Sequence, residues 1–139
     1  MSKSTAEDIA TYCATQSIGT LGTDIFINDL PDKPGYPDNV IVFIDTGGFA
    51  PDHAMGSITT NPVFENPSIQ VLVQNNGAET ALAKCYDVFA LLDGLKDQTI
   101  DSVVYLHITA MSSPFNIGKD ENDRYRVACN FLVTRRPLA

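Results

Sequence analysis

Asn66-Pro67-Ser68-Ile69-Gln70-Val71-Leu72-Val73-Gln74-Asn75-Asn76-Gly77 runs into Ala78-Glu79-Thr80-Ala81-Leu82-Ala83-Lys84-Cys85-Tyr86-Asp87-Val88-Phe89-Ala90-Leu91-Leu92-Asp93-Gly94. The change of rhythm along these residues decides the fold class. Ile69, Val71 and Val73 alternate with Ser68, Gln70 and Gln74, a period of two that predicts a strand with a buried face. Asn75-Asn76-Gly77 is turn chemistry. From Ala78 the period becomes helical: Ala78, Ala81, Leu82, Cys85, Val88, Phe89 and Leu92 fall three and four apart and share one face. Gly94 stands where a helix-ending glycine belongs. Thr99 to Ala110 returns to strand character with Val103-Val104-Tyr105-Leu106-His107-Ile108-Thr109. A helix with one apolar stripe must bury it, and the flanking strands supply the surface.

Working outward, Ser4 and Glu7 match a capping box, so a first helix is expected from Thr5 to about Ser17. Asp24 to Asn28 reads as a short strand. Leu30 to Asn39, with Pro31, Pro34 and Pro37, reads as a loop. Val40-Ile41-Val42-Phe43-Ile44 is a continuous apolar run, hence a strand buried on both faces. Asp45 to Glu65 reads as a long irregular loop carrying Phe49, Met55 and Phe64, and loops of that length in compact domains carry function. Met111 to Asn122 reads as a second long loop, and Asp123 to Thr134 as the last strand, with Tyr125, Val127, Cys129, Phe131 and Val133 on its core face. The expected fold is α+β: a five-stranded, mostly antiparallel or mixed sheet with two helices on one face, in the order α-β-β-β-α-β-β. The 139 residues are expected to form a single domain, 1–139.

Composition narrows the function classes. The formal net charge of −8 argues against affinity gained by neutralising phosphates. No apolar run approaches the roughly 20 residues of a membrane helix, and the polar start Met1 to Asp8 carries no secretory pattern, so we expect the chain to act where it is made. Cys13, Cys85 and Cys129 are far apart, odd in number and in phase with apolar neighbours. They read as buried free thiols of a reducing compartment. His53 and His107 belong to no metal-ligand spacing. Asp120-Glu121-Asn122-Asp123 lacks the spacing of a calcium loop. No cofactor-binding motif is present.

The sharpest chemical motif is Ile44-Asp45-Thr46-Gly47. An apolar strand entering Asp-Thr-Gly resembles the catalytic turn of retroviral-type aspartic proteases, in which two aspartates of a homodimer share one proton to activate water. Those enzymes are almost all-β, and the helix at Ala78–Leu92 argues against them. A strand-ending turn is the plainer reading. A non-catalytic α+β adaptor is the third.

Taken together, Ser17 to Phe26, Leu30-Pro31-Asp32, Ile44 to Gly48, Glu65 to Val73, Phe115 to Glu121 and Tyr125 to Phe131 resemble the minor capsid, or tail-completion, proteins of long-tailed bacteriophages, a group similar to the tail terminators. The resemblance spans nearly the whole chain. It implies a structural virion protein with no catalysis and no cofactor. Such a subunit forms a sixfold ring with copies of itself on the tail tube protein, stops tube growth and meets the head-completion or connector protein, while DNA passes through the lumen unbound. It implies assembly in the host cytoplasm and residence in the tail or neck. The two long loops are then the contact segments. Asp45, Gly47 and Gly48 hinge the first. Phe49, His53, Met55 and Phe64 follow on it, and Phe115, Asn116 and Ile117 lie on the second.

Overall fold

The computed structural model describes residues 4–29, 39–52, 64–119 and 123–136. Among these residues two helices and nine strands follow in the order α1 (Thr5–Thr15), β1 (Ile25–Ile27), β2 (Val40–Asp45), β3 (Phe49–Asp52), β4 (Phe64–Asn66), β5 (Ser68–Asn75), α2 (Ala78–Leu92), β6 (Lys96–Ile100), β7 (Val103–Ala110), β8 (Phe115–Lys119) and β9 (Tyr125–Arg135). The strand–helix–strand rhythm is as expected. So is the start of α1, where the Ser4 hydroxyl accepts from the Glu7 N–H.

The sheet is mixed and larger than the five strands expected, and all nine strands belong to it. β1 runs parallel to β2, and the other pairings are antiparallel. The extra strands come from three places. Asp45 to Glu65 is not irregular throughout, because β3 and most of β4 lie inside it. The pairing of β2 with β5 (Val40↔Gln74 to Asp45↔Ile69) continues as β3 with β4 (Phe49↔Asn66, Asp52↔Phe64). Residues 40–52 and 64–75 are thus one long hairpin, bent where Thr46-Gly47-Gly48 passes Pro67. Met111 to Asn122 likewise contains β8, which extends the edge that β7 begins along β9. Finally, Thr99 to Ala110 is not one strand. Asp101 and Ser102 both take positive φ (48° and 69°), and Ile100 pairs with Val103, so the chain reverses through a two-residue turn.

Both helices pack on one face of this sheet. Ile9, Ala10 and Cys13 of α1 join Ala81, Cys85, Val88 and Leu92 of α2 in a single cluster with Phe43, Ile69, Val71, Val73, Cys129, Phe131 and Val133. Each large side chain so buried contributes about 1.5–3 kcal/mol relative to exposure. The opposite face holds a second, smaller cluster of Val40, Val42, Leu72 and Ala128, with Phe26 and Ile44 against it. Both faces of β2 are therefore apolar, as its unbroken run demands. All three cysteines are free and buried. Burial pushes the Cys13 and Cys85 thiols up to about 12, the latter with a contribution from Cys129.

Candidate functional site

Asp45 sits at the end of β2 and faces the start of α1. Its Oδ1 accepts the Ala6 N–H at 3.0 Å. Its Oδ2 accepts from Ser4 Oγ at 2.6 Å and from Asn28 Nδ2 at 2.9 Å. The Asp45 N–H donates in turn to Asn28 Oδ1 at 2.8 Å. A helix start leaves its first N–H groups without intrahelical partners and attracts negative charge. Ser4 serves one of those groups and Asp45 another. Partial burial works to raise the Asp45 pKa, but the hydrogen bonds from Asn28, Ser4 and Ala6, helped by the charge of Arg135, hold it below its usual value. A carboxylate committed in this way ties α1 to β1 and β2, whereas a shared-proton dyad needs its carboxylate turned to a partner chain.

Next to it the hairpin bends. The Thr46 N–H donates to the Ser68 carbonyl, the Ser68 N–H donates to the Gly47 carbonyl, and the Thr46 and Ser68 hydroxyls meet at 2.6 Å. Gly48 lies at φ 105°, and a Cβ there would stand 2.1 Å from the Asn66 carbonyl oxygen. The bend is built on a backbone approach that only glycine allows. Beyond it Phe49 is 62% exposed, while Phe64 across the hairpin is half-buried. The helices lie over β1, β2, β5, β6, β7 and β9, so β3 and β4 carry the sheet beyond the helical layer.

β4 is anchored at its central residue, Glu65. Glu65 Oε2 accepts from Arg135 Nε and Nη2, both at 3.0 Å, and Arg135 Nη1 donates to the Tyr105 hydroxyl at 3.3 Å. That hydroxyl donates to Asp8 Oδ2 of α1. Burial and the Asp8 contact raise the Tyr105 pKa, and Arg135 works against them. Asp8, Tyr105 and Arg135 are all buried. Arg124, another basic residue late in the chain, is buried too. The reason in the case of Arg135 is this network, which joins α1, β4, β7 and β9.

β8 carries Phe115, Asn116 and Ile117, all exposed, on a strand that pairs only with β9 among the described residues. A register shift between Asn116 and Gly118 bulges it. His53 and Met55 lie outside the described residues. The site residues thus fall into separate places: Asp45, Gly47 and Gly48 at the bend, Phe49 and Phe64 on the arm, and Phe115 to Ile117 on the β8 edge. Leu82 belongs elsewhere than expected. The apolar spacing had put it on the buried stripe of α2, but Leu82 and Tyr86 point out of the core and are exposed, and Ala78 is exposed as well. Helical spacing alone does not say which of two apolar stripes meets the sheet. Among the described residues, no group of three or more His, Cys, Asp or Glu converges to hold a metal. An open depression beside the start of α2, lined by Asn39, Val40, Gln74 and Thr80, holds none of the residues singled out from sequence.

A family profile described as bacteriophage tail terminator protein matches residues 12–136. Among solved structures, a chain in the virion of the native gene transfer agent particle is similar over 95% of this chain and 94% of that one, with a TM-score of 0.63. At 14% identity, that likeness is one of fold. No curated protein matches the sequence significantly. The family match covers all the strands described, the whole of α2 and the last turn of α1, and the chain belongs to the bacteriophage tail terminator family.

Proposed function

We propose that this chain forms a ring that caps the phage tail tube and joins it to the head or neck, with the bent hairpin and the β8 edge as its contact segments. The observation that carries the reading is family membership over residues 12–136, and the surface fits it. A rigid sheet-and-helix body presents exposed apolar residues on its outlying strands, Phe49 on β3 and Phe115 and Ile117 on β8. The ring is built of copies of the chain, expected to be six. It sits on the tail tube protein, meets the connector or head-completion protein and becomes part of the virion. The net charge of −8 suits a lumen that lets DNA pass without holding it. The Asp45 carboxylate works here as the clasp of α1, with no catalytic part.

Electron microscopy of a lysate from a phage whose copy of this gene is stopped early tests the proposal. Filled heads beside unattached tails of abnormal or variable length are the expected result. Intact, infectious particles would overturn it.

A further inference from the structure

α2 is apolar on two sides. Its inner side meets the core, while its outer side carries Leu82 and Tyr86, 40% and 45% exposed, with Phe89 edge-on to Tyr86 at 5.9 Å between ring centroids. A helix hydrophobic on both sides is one built to be covered on both. Of the seven large hydrophobic residues left exposed among the described residues, two are this pair and three, Met111, Phe115 and Ile117, lie on or beside β8. Within one copy α2 packs on β5, β7 and β9.

We propose that the outer face of α2 is the seat for the β8 edge of a second copy of this chain. The inference rests on the ring reading above and names the surfaces that would make the ring. Two features of the surfaces select that occupant. The spacing matches: Leu82 and Tyr86 are one helical turn apart, about 6 Å, and Phe115 and Ile117 are two residues apart on a strand that bulges there, at most about 7 Å. The charge matches too. On α2, exposed Glu79 stands one turn before Leu82, and on β8, exposed Lys119 stands two residues after Ile117. Lys119 meets Asp123 at 3.1 Å, a solvent-exposed pair that is exchanged at little cost. Seating β8 on α2 joins two different patches. The contact is therefore heterologous, and repeating it closes a ring or grows a filament.

The test uses the full chain carrying Tyr86→Cys and Phe115→Cys together, treated at high concentration with a short bis-maleimide. The native thiols are buried and stay silent. A covalent ladder that climbs past the dimer is expected, with each single variant remaining monomeric and all variants keeping the wild-type melting temperature. As a second arm, Glu79→Lys should weaken assembly and Glu79→Lys with Lys119→Glu should restore it. Rings by electron microscopy without a ladder would overturn this contact and leave the ring reading standing. Dimers from Tyr86→Cys alone would replace it with a helix-to-helix contact. Neither rings nor ladder would overturn both readings.

Discussion

Asp45 and Tyr105 are the residues on which separate elements converge, and each makes a definite prediction. Asp45→Asn keeps the shape of the side chain and removes the charge that favours the α1 N-terminus and accepts from Ser4, Ala6 and Asn28. A loss of roughly 1 kcal/mol is expected, the usual worth of a helix cap. Its pH dependence has a fixed sign. The folded pKa is lowered from 3.8, so the carboxylate contributes stability that is complete above that value and fades as pH falls through the lower folded one. Thermal melts from about pH 6 down to about pH 3 should show a steeper acid limb in the wild type than in Asp45→Asn. Equal slopes would show that the clasp is not formed. Tyr105→Phe removes the hydroxyl between Asp8 and Arg135 in a buried setting. Leaving buried charged groups one partner short costs about 1–3 kcal/mol, read as a drop of several degrees in melting temperature. An unchanged melt would mean that water takes the hydroxyl's place. The sequence showed Asp45 as a motif and Tyr105 as one aromatic in a strand. Neither partnership was legible, because Ser4 lies 41 residues from Asp45 and Asp8 lies 97 from Tyr105.

Elements were read well where one period ruled them. α2 was legible from Ala78 to Leu92, and the run Val40 to Ile44 was legible as a strand apolar on both faces. The bent hairpin was not. Phe49–Asp52 and Phe64–Asn66 are too short to show a period of two, and Pro51, Gly47 and Gly48 read as loop residues. What makes them strands is the register inherited from β2 and β5, a long-range constraint that no local window contains. Gly48 is where that inheritance is most exposed to damage. In Gly48→Ala the Cβ meets the Asn66 carbonyl at 2.1 Å and the backbone is held at φ 105°. The variant should lose about 1–3 kcal/mol, and its damage should be local. Hydrogen exchange should rise at β3 and β4 while β5 and β9 keep their protection. Loss of protection across the whole sheet would mean that arm and body unfold as one unit.

On the scale of the whole molecule, the sheet edges and the charge point the same way. The chain is strongly acidic, with 17 Asp and Glu against 9 Lys and Arg, and of those nine Arg135 and Arg124 are buried. Buried cations add nothing to a phosphate-binding surface, and with Asp8 the one buried acid among the described residues, the outer surface is slightly more acidic than the composition suggests. A copy of this chain should therefore repel duplex DNA as well as other copies, and the proposed self-assembly would have to come from short-range apolar contacts such as those offered by Phe49, Phe115 and Ile117. Two measurements follow from one cause. Raising salt shortens the range of the repulsion, so sedimentation should show more assembled protein at about 0.5 M than at about 0.05 M salt. In the same protein, fluorescence anisotropy with labelled duplex should find DNA binding weaker than about 100 μM at about 0.15 M salt, beyond the weak end of ordinary non-specific binders. A micromolar Kd that falls away with added salt would place DNA on the surface itself. Exposed Lys96 and Arg136 would then be the first residues to change, and an inert lumen would no longer describe the proposed ring.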